Sequence, residues 1–318
     1  MIQERYLYHS FPRRGVRTTH EINWGINTLA CIRDFGLLLL PELIEWKQPL
    51  TGGSPDRVFP VVQSRVCFTD LSPSEVPEHG DRFGKFALEF EVESLRGLGA
   101  IPVFYIPQKD AGVGTALLAI LADSNTLVQR AANVHAVLNG AQPVAERFEL
   151  GVGFARNLEA PEKFSIHRDE AKIVLEALGH RLTPWHMLKE GTQVLQNFFY
   201  PADNVHHDKP LEYYRQREWR IACNFAIEGV NILRRPSPGE KERIAQIDPD
   251  FFLRPIEYDF GPIMPLDDAF VHPGMHGKSI LQNVRRVIAP QAAVEETRRL
   301  LELIDGAPPV VSIETIAE

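Results

Sequence analysis

Cysteine is scarce in this chain. There are three in 318 residues, Cys31, Cys67 and Cys223, and none forms a CxxC pair. That excludes a disulfide framework and a zinc knuckle and predicts a reducing compartment, the cytoplasm. Long apolar runs are missing as well. The longest, near Thr115–Leu121, falls well short of the roughly 20 residues a membrane helix needs. The opening MIQERYLYHS lacks the apolar core of a secretory signal. Basic residues are outnumbered by acidic ones, 34 to 42, and the net charge of −8 gives no expectation of nucleic-acid binding. Internal repeats and low-complexity tracts are absent from the sequence.

What remains is the composition of a globular domain. Hydrophobic residues make up 44% and charged residues 24%, enough to build a sizeable core. The 24 prolines and 22 glycines argue for many turns rather than a helical bundle. Strand patterns are expected at Arg5–Ser10, Leu37–Leu40, Val58–Phe68, Lys85–Val92, Pro102–Ile106, Tyr213–Cys223, Val284–Ala289 and Val310–Ile313. Helical spacing predicts helices over Asn27–Phe35, Val92–Leu98, Gly114–Leu138, Glu170–Leu178, Trp185–Phe199 and from Gln291 to Ile304. Asn27 or Thr28 is the expected cap of the first, and Gly36 its stop. Pro73–Asp81 reads as a loop or short turn, and Pro236–Asp250 is charged and proline-rich. Strands crowd the two ends of the chain with helices between. The pattern is α+β with mixed, mainly antiparallel sheets, in one elaborated domain over 1–318 with a helical insertion at about 107–200.

Two strands carry charged and aromatic residues where plain core strands would carry valine and isoleucine. The first lies in HGDRFGKFALEFEVESLRGLGAIPVFYI (79–106), the second in EYYRQREWRI (212–221). With CFTD at 67–70, and VRRVIAP near the C-terminus, these runs resemble the AbiGi family of abortive-infection proteins. That resemblance implies a role in bacterial phage defence, as the antitoxin or regulatory half of a pair. The implied partner is a cognate toxin or a phage protein.

A second pattern runs through the chain. Tyr8-His9-Ser10 ends the first strand, NTLACIRDFGLLL follows, then Val66–Ser72, and much later Glu218 in REWR. The order is similar to that of ADP-ribosyltransferase folds. The similarity implies NAD as cofactor, with transfer of ADP-ribose or hydrolysis of NAD. His9, Thr69 and Glu218 take the catalytic places, and Tyr8, Ser10, Phe68 and Arg220 line the cofactor. No metal is implied. The residue types suit that chemistry. A carboxylate stabilises positive charge growing on the ribose carbon, and a histidine at the ribose fixes position. Phe68 or Tyr8 would offer an aromatic face to nicotinamide. The chain departs from the pattern in having no glycine after His9 and no tyrosine in the second strand. Each residue also has a structural reading: His9 as a hydrogen-bonded strand histidine, Thr69-Asp70 as a turn cap, and Glu218 as the ion partner of Arg215, Arg217 or Arg220. Together the two resemblances predict an abortive-infection protein, with an NAD-using domain or a toxin-masking antitoxin as its two forms.

Weaker motifs read as structure. Pro273–Ser279 (PGMHGKS) ends like a phosphate loop but has His272 where the leading glycine belongs. His206-His207-Asp208 reads as a solvated loop, His180 and His186 beside Trp185 as core or surface, and Trp24, Trp46, Trp185 and Trp219 as core or rim aromatics. Arg234-Arg235 and Arg285-Arg286 offer charge to a phosphate but read first as solvated faces or as helix and strand ends.

Overall fold

The computed structural model describes residues 5–12, 21–47, 58–106, 113–139, 146–152, 162–178, 185–202, 217–222, 226–227, 230–257 and 261–316. In chain order the elements are β1 (Tyr6–Phe11), α1 (Glu21–Phe35), β2 (Leu37–Lys47), β3 (Val58–Leu71), α2 (Val76–Phe83), β4 (Phe86–Phe90), α3 (Val92–Gly97), β5 (Ile101–Pro102), β6 (Phe104–Ile106) and α4 (Val113–Leu138). There follow β7 (Arg147–Val152), β8 (Glu162–His167), α5 (Arg168–Leu178), α6 (Trp185–Gln196), β9 (Phe199–Pro201), β10 (Glu218–Ala222), β11 (Ala226–Ile227) and β12 (Val230–Asn231). The chain closes with α7 (Pro238–Ala245), α8 (Pro249–Phe252), β13 (Phe270–His272), β14 (Gly274–Met275), β15 (Lys278–Ser279), β16 (Arg286–Ala289), α9 (Val294–Leu301) and β17 (Val310–Ser312).

Two compact units emerge. One comprises residues 1–115 and 197–318, the other residues 116–196. In the first, an open sheet runs β13-β2-β3-β1-β4-β16-β17, with β10 on β3 and β5 on β10. Its pairs are antiparallel except β16 with β17. The class is mixed α and β with a mixed, mostly antiparallel sheet.

Period-two alternation splits each central strand between two faces. Leu7 and Phe11 of β1, Val66 and Phe68 of β3, Phe86, Leu88 and Phe90 of β4, and Ile221 of β10 enter the large core together with Leu29 and Ile32 of α1. Tyr6, Tyr8, Leu71, Ala87 and Ile288 point the other way, into a smaller cluster closed by Val76, Ile313 and Ile316.

The long strand β3 is the hinge of the architecture. Thr69 pairs with Tyr8 and with Glu218, and Arg65 pairs with Leu40 and with Ala222. So β10 runs along one edge, while β2 and then β1 follow each other along the opposite edge. Between those two, Val66–Phe68 have no strand partner on that edge among the described residues.

Several elements differ from the sequence expectation. Helix α1 starts at Glu21, so Asn27 is an exposed mid-helix residue and not the cap. Gly25 hides the longer periodicity: its buried place against Phe86 has no room for a side chain, since a Cβ there would lie 2.1 Å from the Phe86 ring. Gly36 does end α1, with φ of 111°. Pro73–Asp81 opens with a short 3-10 turn, Pro73–Glu75, but then enters helix α2, which the sequence reading missed; Pro73 and Pro77 sit in first turns, where a missing N–H costs nothing. Pro238 begins α7 in the same way, behind a Ser237–Glu240 capping box. Phe199 leaves the expected helix and opens β9, which lies parallel to β6. Thr69 and Asp70 do not cap a turn. They remain within β3, and Asp70 holds Arg5 at 2.7 Å.

In the 116–196 unit, β7 and β8 form a hairpin pair. Ala131, Val134 and Leu138 of α4 pack on Ala171 and Leu175 of α5, with Ile166 of β8 beside them.

Candidate functional site

The site begins with three residues of β10. Glu218, Trp219 and Arg220 alternate across the sheet. Trp219 stands opposite Phe68 and packs on the large core. Glu218 and Arg220 stand opposite Thr69 and Cys67 on the other face. Two residues apart on one strand, acid and base reach each other directly. Arg220 Nε donates to Glu218 Oε1 at 2.7 Å and Nη2 to Oε2 at 3.2 Å. The Tyr105 hydroxyl donates to Oε2 at 3.0 Å. Arg220 Nη1 donates to the Asn197 carbonyl at 3.1 Å.

A second arginine joins from β3. Arg65 lies over the Tyr200 ring at 5.1 Å, and Arg220 lies over the same ring at 4.8 Å. Arg65 donates to Gln63 at 2.8 Å and pairs with Glu42. Arg220 is wholly buried. Burial alone would raise the Glu218 carboxyl, and the Arg220 and Arg65 guanidiniums reverse that and hold it down at about 2. The Cys67 thiol is pushed up to about 12 by burial and by Glu218, so it stays protonated and unreactive. Burial, reinforced by Glu218, also raises the Tyr105 phenol.

This cluster ties together the flanks of the 116–196 segment. Tyr105 lies in β6, Asn197 follows α6, and Tyr200 lies in β9, paired with Tyr105 in register. Glu218 and Arg220 hold all three.

The predicted site residues divide into two sets. Thr69 faces Glu218 across β3 and β10, and Tyr8 faces Thr69 across β1 and β3. His9 is not with them. Its ring lies on the core face beside Phe68, 5.6 Å between centroids, and beside Phe11 at 5.9 Å. The expected meeting of His9, Thr69 and Glu218 around one cleft does not occur, because His9 and Tyr8 are neighbours in a pleated strand and point to opposite faces. His9 Nδ1 sits 2.9 Å from the Cys67 carbonyl, in the break between β1 and β2. A carbonyl only accepts, so Nδ1 donates. Burial lowers the imidazole pKa and keeps it neutral.

Of the four residues assigned to a cofactor, Tyr8, Phe68 and Arg220 have internal partners. Tyr8 donates to the buried Glu89 at 2.7 Å, and Arg285 and Arg286 bind the same carboxylate. Phe68 is wholly buried and meets Phe90 edge-on. Ser10 Oγ is buried without a hydrogen-bond partner.

Tyr200, Arg65 and Asn197 escaped the sequence reading. Arg65 had a signal, standing two residues before Cys67 on the same strand face; Tyr200 and Asn197 had none. PGMHGKS is a β-hairpin, not a phosphate loop: His276 and Gly277, at φ of 52° and 75°, form its two-residue turn. His206-His207-Asp208, His180 and Cys223, and the side chains of Trp46, Trp185 and His186, lie outside the described residues. Among the described residues no group of three or more His, Cys, Asp or Glu is placed to hold a metal ion, and no helix is long and apolar enough to cross a membrane.

Fold and site together define an α+β protein on an open mixed sheet, with a buried acid–base pair on β10. Residues 57–246 match the AbiGi family, described as "Putative abortive phage resistance protein AbiGi, antitoxin", and the chain belongs to that family. The match spans the runs at 67–105 and 212–221 but not VRRVIAP. Its role is in abortive phage resistance. Curated proteins and solved structures give no match.

Proposed function

We propose that this chain is the antitoxin of an abortive-infection pair and acts by binding and masking a toxin, without chemistry of its own. The observation that carries this reading is the occupation of Glu218. Its carboxylate receives Arg220 twice and Tyr105 once, inside the protein. A carboxylate so engaged supports a fold; a transition-state stabiliser needs acceptor capacity turned towards a substrate. The family's description as an antitoxin supports the same reading. The test is growth. Cells expressing the protein encoded beside this chain should arrest, and co-expression of this chain should restore them through a complex that co-purifies. Continued arrest despite a well-expressed chain defeats the proposal.

A second reading is an ADP-ribosyltransferase-like domain that consumes NAD. The observation in its favour is the Glu218–Thr69 pair, an ionised carboxylate beside a hydroxyl on one face of the sheet. Tyr8, Phe68 and Arg220 would have to surrender their internal contacts to reach a cofactor, and His9 would have to act from the other face. Free nicotinamide released by the purified chain from NAD would favour this reading over the first.

A further inference from the structure

Large apolar side chains are unevenly exposed. Eleven stand out among the described residues, and six of these, Ile120, Leu127, Val137, Ile173, Val174 and Leu195, lie in the 116–196 unit, about a quarter of the chain. Leu127 is 69% exposed and Ile173 66%. Single exposed aliphatics are ordinary on a protein surface, whereas a concentration of them marks an interaction site.

The helices show how it arises. Helix α5 turns Ala171 and Leu175 onto α4 and turns Ile173 and Val174 outward. It is apolar on two sides, and the unit's own core uses one. Helix α4 repeats the pattern along its length. Ala131, Val134 and Leu138 meet α5, while Ile120 and Leu127, seven residues apart on one face, precede that contact and stay exposed.

Charge narrows the occupant. Residues 116–196 hold nine acidic and eight basic residues, so almost all of the net −8 belongs to the other unit. A basic partner is drawn to that other unit, and a polyanionic nucleic acid is drawn to neither. A membrane surface calls for a helix with a basic polar face, and α5 mixes Asp169, Glu170 and Glu176 with Arg168 and Lys172. A near-neutral aliphatic surface matches a near-neutral aliphatic surface on another protein. The unit also lies wholly inside the span that carries the antitoxin description.

We infer that the exposed aliphatic faces of α4 and α5 are where this chain grips its toxin, through an uncharged apolar surface of that partner. The inference rests on the antitoxin reading. It is tested with the full-length chain and the purified product of the adjacent open reading frame. Wild type, Leu127→Glu, Ile173→Glu and the double variant are titrated into the partner by calorimetry, with Leu303→Glu, at an 84% exposed site of the other unit, as control. Circular dichroism checks that each variant is folded. The expected result is a loss of about tenfold or more for each single variant, a larger loss for the double, and no change for Leu303→Glu. Raising salt from about 0.1 to about 1 M should leave wild-type affinity within about twofold, since screening acts on charges. Unchanged affinity in the folded double variant overturns the assigned surface while leaving the antitoxin reading intact. No binding by wild type overturns both. A wild-type dimer in light scattering that the double variant loses, with partner affinity unchanged, assigns the surface to a second copy and also overturns the inference.

Discussion

Arg220 and Glu218 face each other from alternate positions of one strand, Nε to Oε1 at 2.7 Å, with the guanidinium wholly buried. Removing one charge leaves the other without compensation in a low-dielectric interior. Glu218→Gln should lower the unfolding free energy by about 3–5 kcal/mol in urea titration. The double change Glu218→Leu with Arg220→Met should cost less than either single charge deletion, because no buried charge then stays unpaired. Additive losses would show that the pair is not coupled.

Gly25 is the contact point of α1 with the sheet. Alanine in place of a mid-helix glycine ordinarily gains about 1 kcal/mol. Here the added methyl would meet the Phe86 ring at 2.1 Å. Gly25→Ala should therefore destabilise, by about 1–3 kcal/mol of overpacking. Thermal unfolding reads the sign, and Phe86→Leu should relieve the loss.

Acid should weaken the fold in two stages. Burial, and then Arg82, lowers the His79 imidazole from 6.5 to about 4. Burial works to raise Glu218, and Arg220 and Arg65 bring it from 4.5 to about 2. In the same way burial opposes, and the Ser72 and Arg217 donors outweigh it, for Glu75, also at about 2. Every one of these groups binds fewer protons folded than unfolded, so stability rises with pH across its window. The His79 contribution is complete above 6.5 and is lost as pH falls to about 4; the carboxylates contribute fully above 4.5 and fade towards 2. Urea midpoints measured from neutral pH downwards should fall through both windows. His79→Phe should flatten the upper one.

His9 should be a neutral imidazole protonated on Nδ1. Its Nδ1–H donates to the Cys67 carbonyl, and burial depresses its pKa. Long-range nitrogen–proton correlation spectra at neutral pH should show that tautomer, with titration below 6.5. A proton on Nε2 alone would contradict the geometry.

The central sheet was legible where side chains alternate. β1, β4, β16 and β17 stand close to their expected bounds, and period two is plainest in FALEF, where Glu89 falls on the face opposite Phe86, Leu88 and Phe90. The long helix at 113–138 was equally plain. Prolines misled at Pro73 and Pro77, because a breaker inside a helix is harmless in its first turn. At the site, Glu218–Arg220 was visible as two charges on one strand face, and Tyr105 stood in a run already singled out. The faces of His9 and Glu218 were not legible. They depend on the register of β1 and β10 against β3, a long-range relation that no local pattern encodes.

The most direct test of the account mixes purified chain, purified partner from the adjacent reading frame and NAD, and separates the mixture by size exclusion. Chain and partner should elute together, and NAD should be recovered intact. Free nicotinamide in the small-molecule fraction, with the two proteins eluting apart, would contradict it.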